Sequence, residues 1–324
     1  MNRRALLIAT MAVTAASAAS GSALAQSSPS GPLRFIVPTP PGSPIEPYAR
    51  LISEHMARKL SRVAIVEHKP GASTMLAAQH VANSPADGNM ILIATQGMVE
   101  IIPTAGINRK WSMDDFIPLI RGVIAPLMLV THPSVPARTF PELIAWIKKN
   151  PGKLTYSSYD LGTPSHFLGF QLNERFGLDL LHVPSRGSPA QSTNLLGGHV
   201  LFGFAQVQAS LPLIRDGKLN AIAVTSATRS RHAPEIPSMT ELGSPEFTSS
   251  IWFGLMIRSG APSNVVTGVL NAAKAAHVDP DVRTKLEAQG YEISGETGPQ
   301  FAADIKAQTE RWARLIKAAG FKAD

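Results

Sequence analysis

The sequence predicts an α/β protein of two domains, on three observations. Strand, glycine- or serine-rich loop and helix follow one another repeatedly from Leu33 onward, the grammar of βα units. The pattern restarts near Phe140, after the chain has already built three such strands. Two long apolar strands, Leu127 to Val130 and Ile251 to Ile257, flank the middle third. They read as crossover strands, with residues 32–126 and 254–324 forming domain 1 and residues 127–253 forming domain 2. A mature chain of about 300 residues exceeds what one hydrophobic core usually serves, which agrees with that division.

The elements follow in order. Asn2-Arg3-Arg4, the apolar run Ala5 to Val13 and the small residues up to Ala23-Leu24-Ala25 read as a secretory signal peptide over residues 1–25, cut after Ala25. The apolar run is too short to span a bilayer. The expectation is an exported protein, and a bacterial periplasm fits best. Leu33 to Val37 is a strand, Pro38 to Pro44 a loop and Glu46 to Leu60 a helix. Val63 to Glu67 is a second strand, followed by Lys69-Pro70-Gly71-Ala72-Ser73-Thr74 and a helix through Ala77, Ala78, Val81 and Ala82. The third strand, Met90 to Ala94, ends in Thr95-Gln96-Gly97. Trp111 to Phe116 and Pro118 to Arg121 lead to the first long strand.

The restart begins with a helix over Phe140 to Lys149 and a short strand at Leu154-Thr155-Tyr156. Gly162-Thr163-Pro164-Ser165 then supplies a turn, an N-cap hydroxyl and a proline suited to the first helical turn. The helix that follows is marked by Phe167, Leu168, Phe170, Leu172 and Phe176. Strand Leu180 to Val183, loop Pro184 to Pro189, helix Ala190 to Leu196, and strands Val200 to Ala205 and Ala221 to Thr225 come next. The tail is helical: Pro262 to His277, Pro280 to Gln289 and Pro299 to Ala319.

Most enzyme classes are excluded by motif. There is no nucleophile elbow, phosphate loop, dinucleotide fingerprint or paired-histidine zinc motif. With no cysteine, disulfides, thiolate nucleophiles and sulfur-rich metal sites are excluded. None of the nine histidines lies three or four residues from another, so no catalytic residue, metal site or cofactor is assigned. A Ser-His-Asp set assembled from distant segments stays open, because geometry alone defines such sets. The excess of 30 Lys and Arg over 23 Asp and Glu is spread along the chain. That suits anionic small molecules better than nucleic acid, which would need a basic stripe.

Five loops carry what an extended anion requires, namely backbone N–H groups, hydroxyls and a cation. They are Pro41-Gly42-Ser43, Ala72-Ser73-Thr74, Thr95-Gln96, Gly162-Thr163-Pro164-Ser165 and Ser185-Arg186-Gly187-Ser188. Each alone reads as an ordinary βα turn. Five at the same end of two sheets point to a ligand between domains, at the carboxyl ends of the strands.

With those residues in view, the mature chain resembles the Bug-type periplasmic solute receptors of tripartite tricarboxylate transporters. The resemblance rests on an ordered set of segments: Pro40-Pro41-Gly42 with Ala49-Arg50-Leu51, Lys69-Pro70-Gly71-Ala72, Pro85-Ala86-Asp87-Gly88, Asp115-Phe116-Ile117-Pro118, His132-Pro133-Ser134-Val135-Pro136, Asn150-Pro151-Gly152-Lys153-Leu154, Gly162-Thr163 with Ser165-His166, Leu195-Leu196-Gly197-Gly198, and Trp252-Phe253-Gly254. It implies a two-domain, type II-like Venus-flytrap fold. Such a receptor, a monomer, closes on a small di-, tri- or aromatic carboxylate and hands it to membrane permease subunits without hydrolysing it. A same-fold receptor serving a signalling sensor, or a secreted α/β hydrolase, are the alternatives.

Carried over by position, the resemblance singles out Pro41, Gly42, Ser43, Gly162, Thr163 and Ser165 as ligand-holding. Arg186 stands where the family often has a basic residue. With the other loops, the candidate ligand-binding set also includes Ser73, Thr74, Thr95, Gln96 and Ala205. Three departures bear on the ligand. Ser43-Pro44-Ile45 replaces a glycine-rich run, and Tyr159-Asp160-Leu161 replaces a glycine-bearing turn. Ala205 stands where an Asp is common, which argues against an α-amino acid and for a plain or aromatic carboxylate.

Overall fold

The computed structural model describes residues 31–318. The signal peptide expected over residues 1–25 lies outside them. The ten strands of the described residues are β1 (Leu33–Val37), β2 (Ala64–His68), β3 (Met90–Thr95), β4 (Phe116–Thr131), β5 (Leu154–Ser158), β6 (Leu180–Pro184), β7 (Phe202–Gln206), β8 (Asn220–Val224), β9 (Ser250–Arg258) and β10 (Glu292–Thr297). The nine α-helices of the described residues are α1 (Ile45–Lys59), α2 (Met75–Ala82), α3 (Phe140–Lys148), α4 (Pro164–Phe176), α5 (Ser188–Leu196), α6 (Val207–Arg215), α7 (Ser263–Val278), α8 (Pro280–Ala288) and α9 (Gly298–Ala318). None of these helices is long and apolar enough to cross a membrane.

The strands pair in the order β2-β1-β3-β9-β4-β7-β5-β6, with β8 and β10 both on β4. One parallel group, β2-β1-β3, is joined through antiparallel β9 and β4 to a second parallel group formed by β7, β5 and β6. Both groups are apolar on their covered faces, as parallel strands with helices packed over them must be. Phe35, Ile91, Leu127, Leu129, Phe204 and Phe253 share one core. That core closes on a buried polar pair: the Tyr48 hydroxyl lies 3.1 Å from His277 Nε2, and His277 Nδ1 lies 2.8 Å from the Ala273 carbonyl.

β4 differs from its expected form. The segments Pro118–Arg121 and Leu127–Val130 belong to one strand of 16 residues that starts at Phe116, while residues 111–115 precede it and include a short 3-10 turn at Met113–Asp115. Pro118 has no N–H for a ladder, and register shifts at Pro118/Ile120 and Arg121/Val123 absorb the irregularity. The expected domain boundary at residue 126 therefore falls inside a continuous strand, whose first part pairs with β9 and β10 and whose last residues pair with β7 and β8. The residues from Gly31 onward gather into one compact unit.

β10 had no counterpart in the sequence reading. Its segment is polar and partly exposed, and Gly295 sits at φ +71° where the register slips between Ile293 and Glu296. What holds it is a side chain from another strand: the Arg121 guanidinium pairs with Glu296 on β10 and, at 2.6 Å, with Asp304 on α9.

Candidate functional site

The loops after β1, β2, β3, β5 and β6 converge on a cavity of about 560 Å³. Its wall is contributed by both strand groups and by Ile251, Trp252 and Phe253 of β9. Each loop leaves the carboxyl end of a parallel strand, and that shared direction brings segments far apart in sequence to one place.

The loop after β1 is built on prolines and held in place by α1 and by Tyr291. The Gly42 amide donates to Glu46 Oε2 at 2.8 Å, and the Tyr291 hydroxyl donates to the Pro44 carbonyl at 2.6 Å. The Gly42 bond, followed by those from Arg50, holds the Glu46 carboxyl below its usual range. Gly42 and exposed Pro41 stay outside the cavity wall, whereas Ser43, buried, faces it.

The loop after β2 carries strain. Ala72, Ser73 and Thr74 all have positive φ, at +46°, +49° and +75°, a full left-handed turn without glycine. Such residues cost about 1–2 kcal/mol each and persist where the surroundings over-determine them, often at ligand sites. All three line the cavity. The hydroxyls of Ser73 and Thr74 are visible in the sequence, whereas the left-handed backbone of the turn has no sequence signal.

After β3 the chain makes one π-helical turn, Gly97–Ile101, which begins at the last residue of the expected loop Thr95-Gln96-Gly97. Thr95 and Gln96 line the cavity just before it. The turn buries Glu100 beside two indoles: Trp252 Nε1 donates to one carboxylate oxygen at 2.7 Å and Trp312 Nε1 to the other at 3.2 Å. Burial pushes this carboxyl up to about 7, with the Asp304 charge adding to it; hydrogen bonds from Trp252, Gln96 and Trp312 work against the rise. Trp252 and Gln96 also line the cavity, so the wall is backed by an ionisable group that the sequence reading did not single out.

The α4 entrance departs from expectation. Its N–H groups were expected to face a ligand, with Ser165 offering a hydroxyl. They are instead consumed locally. Pro164 has no N–H, Thr163 Oγ1 accepts from the His166 amide at 3.4 Å, and the Phe167 amide bonds the Thr163 carbonyl at 3.1 Å. The Ser165 amide serves the Tyr159 hydroxyl. Ser165 is fully buried and its hydroxyl donates to the Phe204 carbonyl, tying α4 to β7. Gly162, at φ +67°, gives its amide to His166 Nδ1 at 3.3 Å, and the His166 ring stacks on His182 at 3.9 Å between centroids. Burial, helped by the neighbouring imidazole, pushes His166 down to about 3, so it is neutral.

Of the candidate set, Ser43, Ser73, Thr74, Thr95, Gln96, Thr163 and Arg186 line the cavity, while Pro41, Gly42, Gly162, Ser165 and Ala205 do not. Ala205 is buried among Met128, Val130 and Leu211. The wall also holds Thr39, Tyr159, Asp160, Ser188 and Gln206, none of which was in that set. Among the described residues, four polar atoms of residues in the wall, Thr39 Oγ1, Ser43 Oγ, Thr74 Oγ1 and Gln96 Oε1, have no hydrogen-bond partner, and all four are packed beneath the cavity surface, out of contact with its space. Arg186 is exposed, and among the described residues it makes no ion pair or side-chain hydrogen bond. The described residues contain no cluster of three or more His, Asp or Glu able to hold a metal.

Comparison with known proteins gives a consistent picture. The family model described as "Tripartite tricarboxylate transporter family receptor" matches residues 48–321. Protein BugT of Bordetella pertussis is 29% identical over 304 residues, covering 91% of each chain. A solved structure of a Rhodopseudomonas palustris protein with adipate superposes with a TM-score of 0.86 at 26% identity, covering 91% of this chain and 99% of that one. A second protein of that organism, MatC with bound malate, superposes with a TM-score of 0.83 at 25% identity, covering 89% and 99%.

Proposed function

Because this chain belongs to the tripartite tricarboxylate transporter receptor family, we propose that it is an exported receptor that takes a small carboxylate into the cavity. It then presents the carboxylate, unchanged, to the membrane permease subunits of such a transporter. One observation carries the ligand class: Arg186, which among the described residues makes no ion pair or side-chain hydrogen bond, lines the cavity on which the hydroxyl-bearing loops after β2, β3 and β5 converge. An anion accepts from hydroxyls and guanidinium alike. The adipate and malate in the two Rhodopseudomonas structures belong to the same chemical class.

On this reading Ser43, Ser73, Thr74, Thr95, Gln96, Thr163 and Arg186 hold the ligand. Pro41 and Gly42 shape the first loop, and Gly162 and Ser165 brace α4. Residues 32–126 with 254–324 form one lobe and residues 127–253 the other, and they close by bending of β4 and β9. Cleavage after Ala25 releases the mature protein to the periplasm as a monomer. No bond of the ligand is made or broken.

The test is a thermal-shift and calorimetric screen of purified mature protein against dicarboxylates, tricarboxylates and aromatic acids. At a hundredfold excess over the dissociation constant a ligand stabilises by about 2.7 kcal/mol. Arg186→Ala should weaken the best ligand by about tenfold to a hundredfold, the worth of a hydrogen bond to a charged group, and leave the unliganded stability unchanged. A screen in which no carboxylate shifts the melting temperature, or in which one is turned over, would overturn the proposal.

A further inference from the structure

The cavity wall contains a carboxylate oxygen that a fully ionised polycarboxylate cannot satisfy. Asp160, from the loop after β5, presents a carboxylate to the cavity. Its Oδ1 accepts from the Leu161 amide at 2.8 Å and from the Ser73 hydroxyl at 3.3 Å. Among the described residues its Oδ2 makes no hydrogen bond, and no cation forms an ion pair with it. The free atom is an acceptor. A ligand built only of carboxylates and methylenes offers acceptors and apolar surface, so it would leave that atom unpaired and set a negative charge against Asp160.

Resting on the carboxylate reading above, we propose that Asp160 makes this site selective for a carboxylate that also bears a hydrogen-bond donor, an ammonium or hydroxyl group, over the plain dicarboxylate of the same length. The ligand's carboxylate meets Arg186, and its donor meets Asp160 Oδ2. The expectation drawn from Ala205 looked for an acid at the end of β7 and, finding none, disfavoured an amino group. The fold supplies the acid from a different loop. Burial raises the Asp160 carboxyl to about 6, against the Leu161 and Ser73 hydrogen bonds, so it is mainly ionised at neutral pH and able to accept.

The experiment is calorimetry at neutral pH on the mature protein, with plain, 2-hydroxy and 2-amino forms of the four-, five- and six-carbon dicarboxylates. A donor-bearing form should bind about tenfold to a hundredfold tighter than its plain counterpart, the range for a hydrogen bond involving a charged group. In Asp160→Asn the advantage of the amino form should be lost while the plain form binds at least as well as before. A protein in which Asp160 only braces the loop would lose affinity for all three forms together, and that result would overturn the proposal. Equal binding of the three forms by the unaltered protein, or tightest binding of the plain one, would overturn it while leaving the carboxylate reading intact. Failure of every member of the series and of the wider screen would overturn both.

Discussion

Glu100 offers a sharp test of the electrostatics behind the cavity wall. Its carboxyl is fully buried and its proton affinity is raised from 4.5 to about 7, chiefly by burial. A group whose folded-state pKa lies above its unfolded value contributes stability that is fully present below the unfolded pKa and is lost as pH rises through the folded one. The window here is therefore pH 4.5 to about 7. At about 1.36 kcal/mol per unit, the loss across that window is roughly 3 kcal/mol. Glu100→Gln keeps the shape and stays neutral at every pH. Its amide oxygen can accept from one indole, while the other indole N–H faces an amide donor. That mismatch costs on the order of 1 kcal/mol and does not depend on pH. The difference in stability between variant and parent should thus move by roughly 3 kcal/mol in favour of the variant between the acid and neutral ends of the window. Urea unfolding followed by tryptophan fluorescence, at half-unit steps of pH, measures it. Contributions from Asp160, His166, His182 and His277 titrate in both proteins and cancel in the difference. A difference that stays constant across the window, or moves the other way, would show that Glu100 is ionised throughout and that the burial argument is wrong.

Two backbone predictions follow from the same structure. Ala72→Gly replaces an exposed residue at φ +46°. Relief of the left-handed conformation, about 1–2 kcal/mol, should outweigh the extra unfolded-state entropy of glycine, about 0.5–1 kcal/mol, so the urea midpoint should rise; a fall would mean that the turn is not strained. Gly203→Ala would place a Cβ 2.4 Å from the Ser157 carbonyl oxygen of the neighbouring strand. Backbone cannot step aside, and a loss of about 1–3 kcal/mol in unfolding free energy is expected, whereas a change below about 0.5 would show that β5 and β7 can separate freely.

Much of the fold was legible in the sequence because its signals are local. Leu33–Val37 alternates with proline- and glycine-rich punctuation, Thr163-Pro164 announces a helix start, and Phe140–Lys148 carries a helical stripe behind a capping Thr139. Such features depend on residues within a few positions of one another, so they survive without knowledge of what packs on them. β10 was missed for the opposite reason: its polar residues form a strand only because β4 lies beside them and Arg121 reaches across. Gly97–Ile101 likewise becomes a π-turn in company with Trp252 and Trp312, which bond its Glu100 from far along the chain.

The site divides in the same way. Which loops would carry hydroxyls, amides and a cation was decided by composition, and the common direction of parallel strands was enough to predict that they would meet. Which atoms of those loops remain free was decided only by the folded molecule. Ser165 gives its hydroxyl to Phe204, Gly42 its amide to Glu46, and Tyr159 takes up the Ser165 amide, whereas Asp160 keeps an oxygen, and Arg186 its guanidinium, unpaired in the cavity wall. A sequence specifies how many donors and acceptors a loop brings. The count left over for a ligand is set by hydrogen bonds between segments many residues apart, and those exist only once the chain has closed on itself.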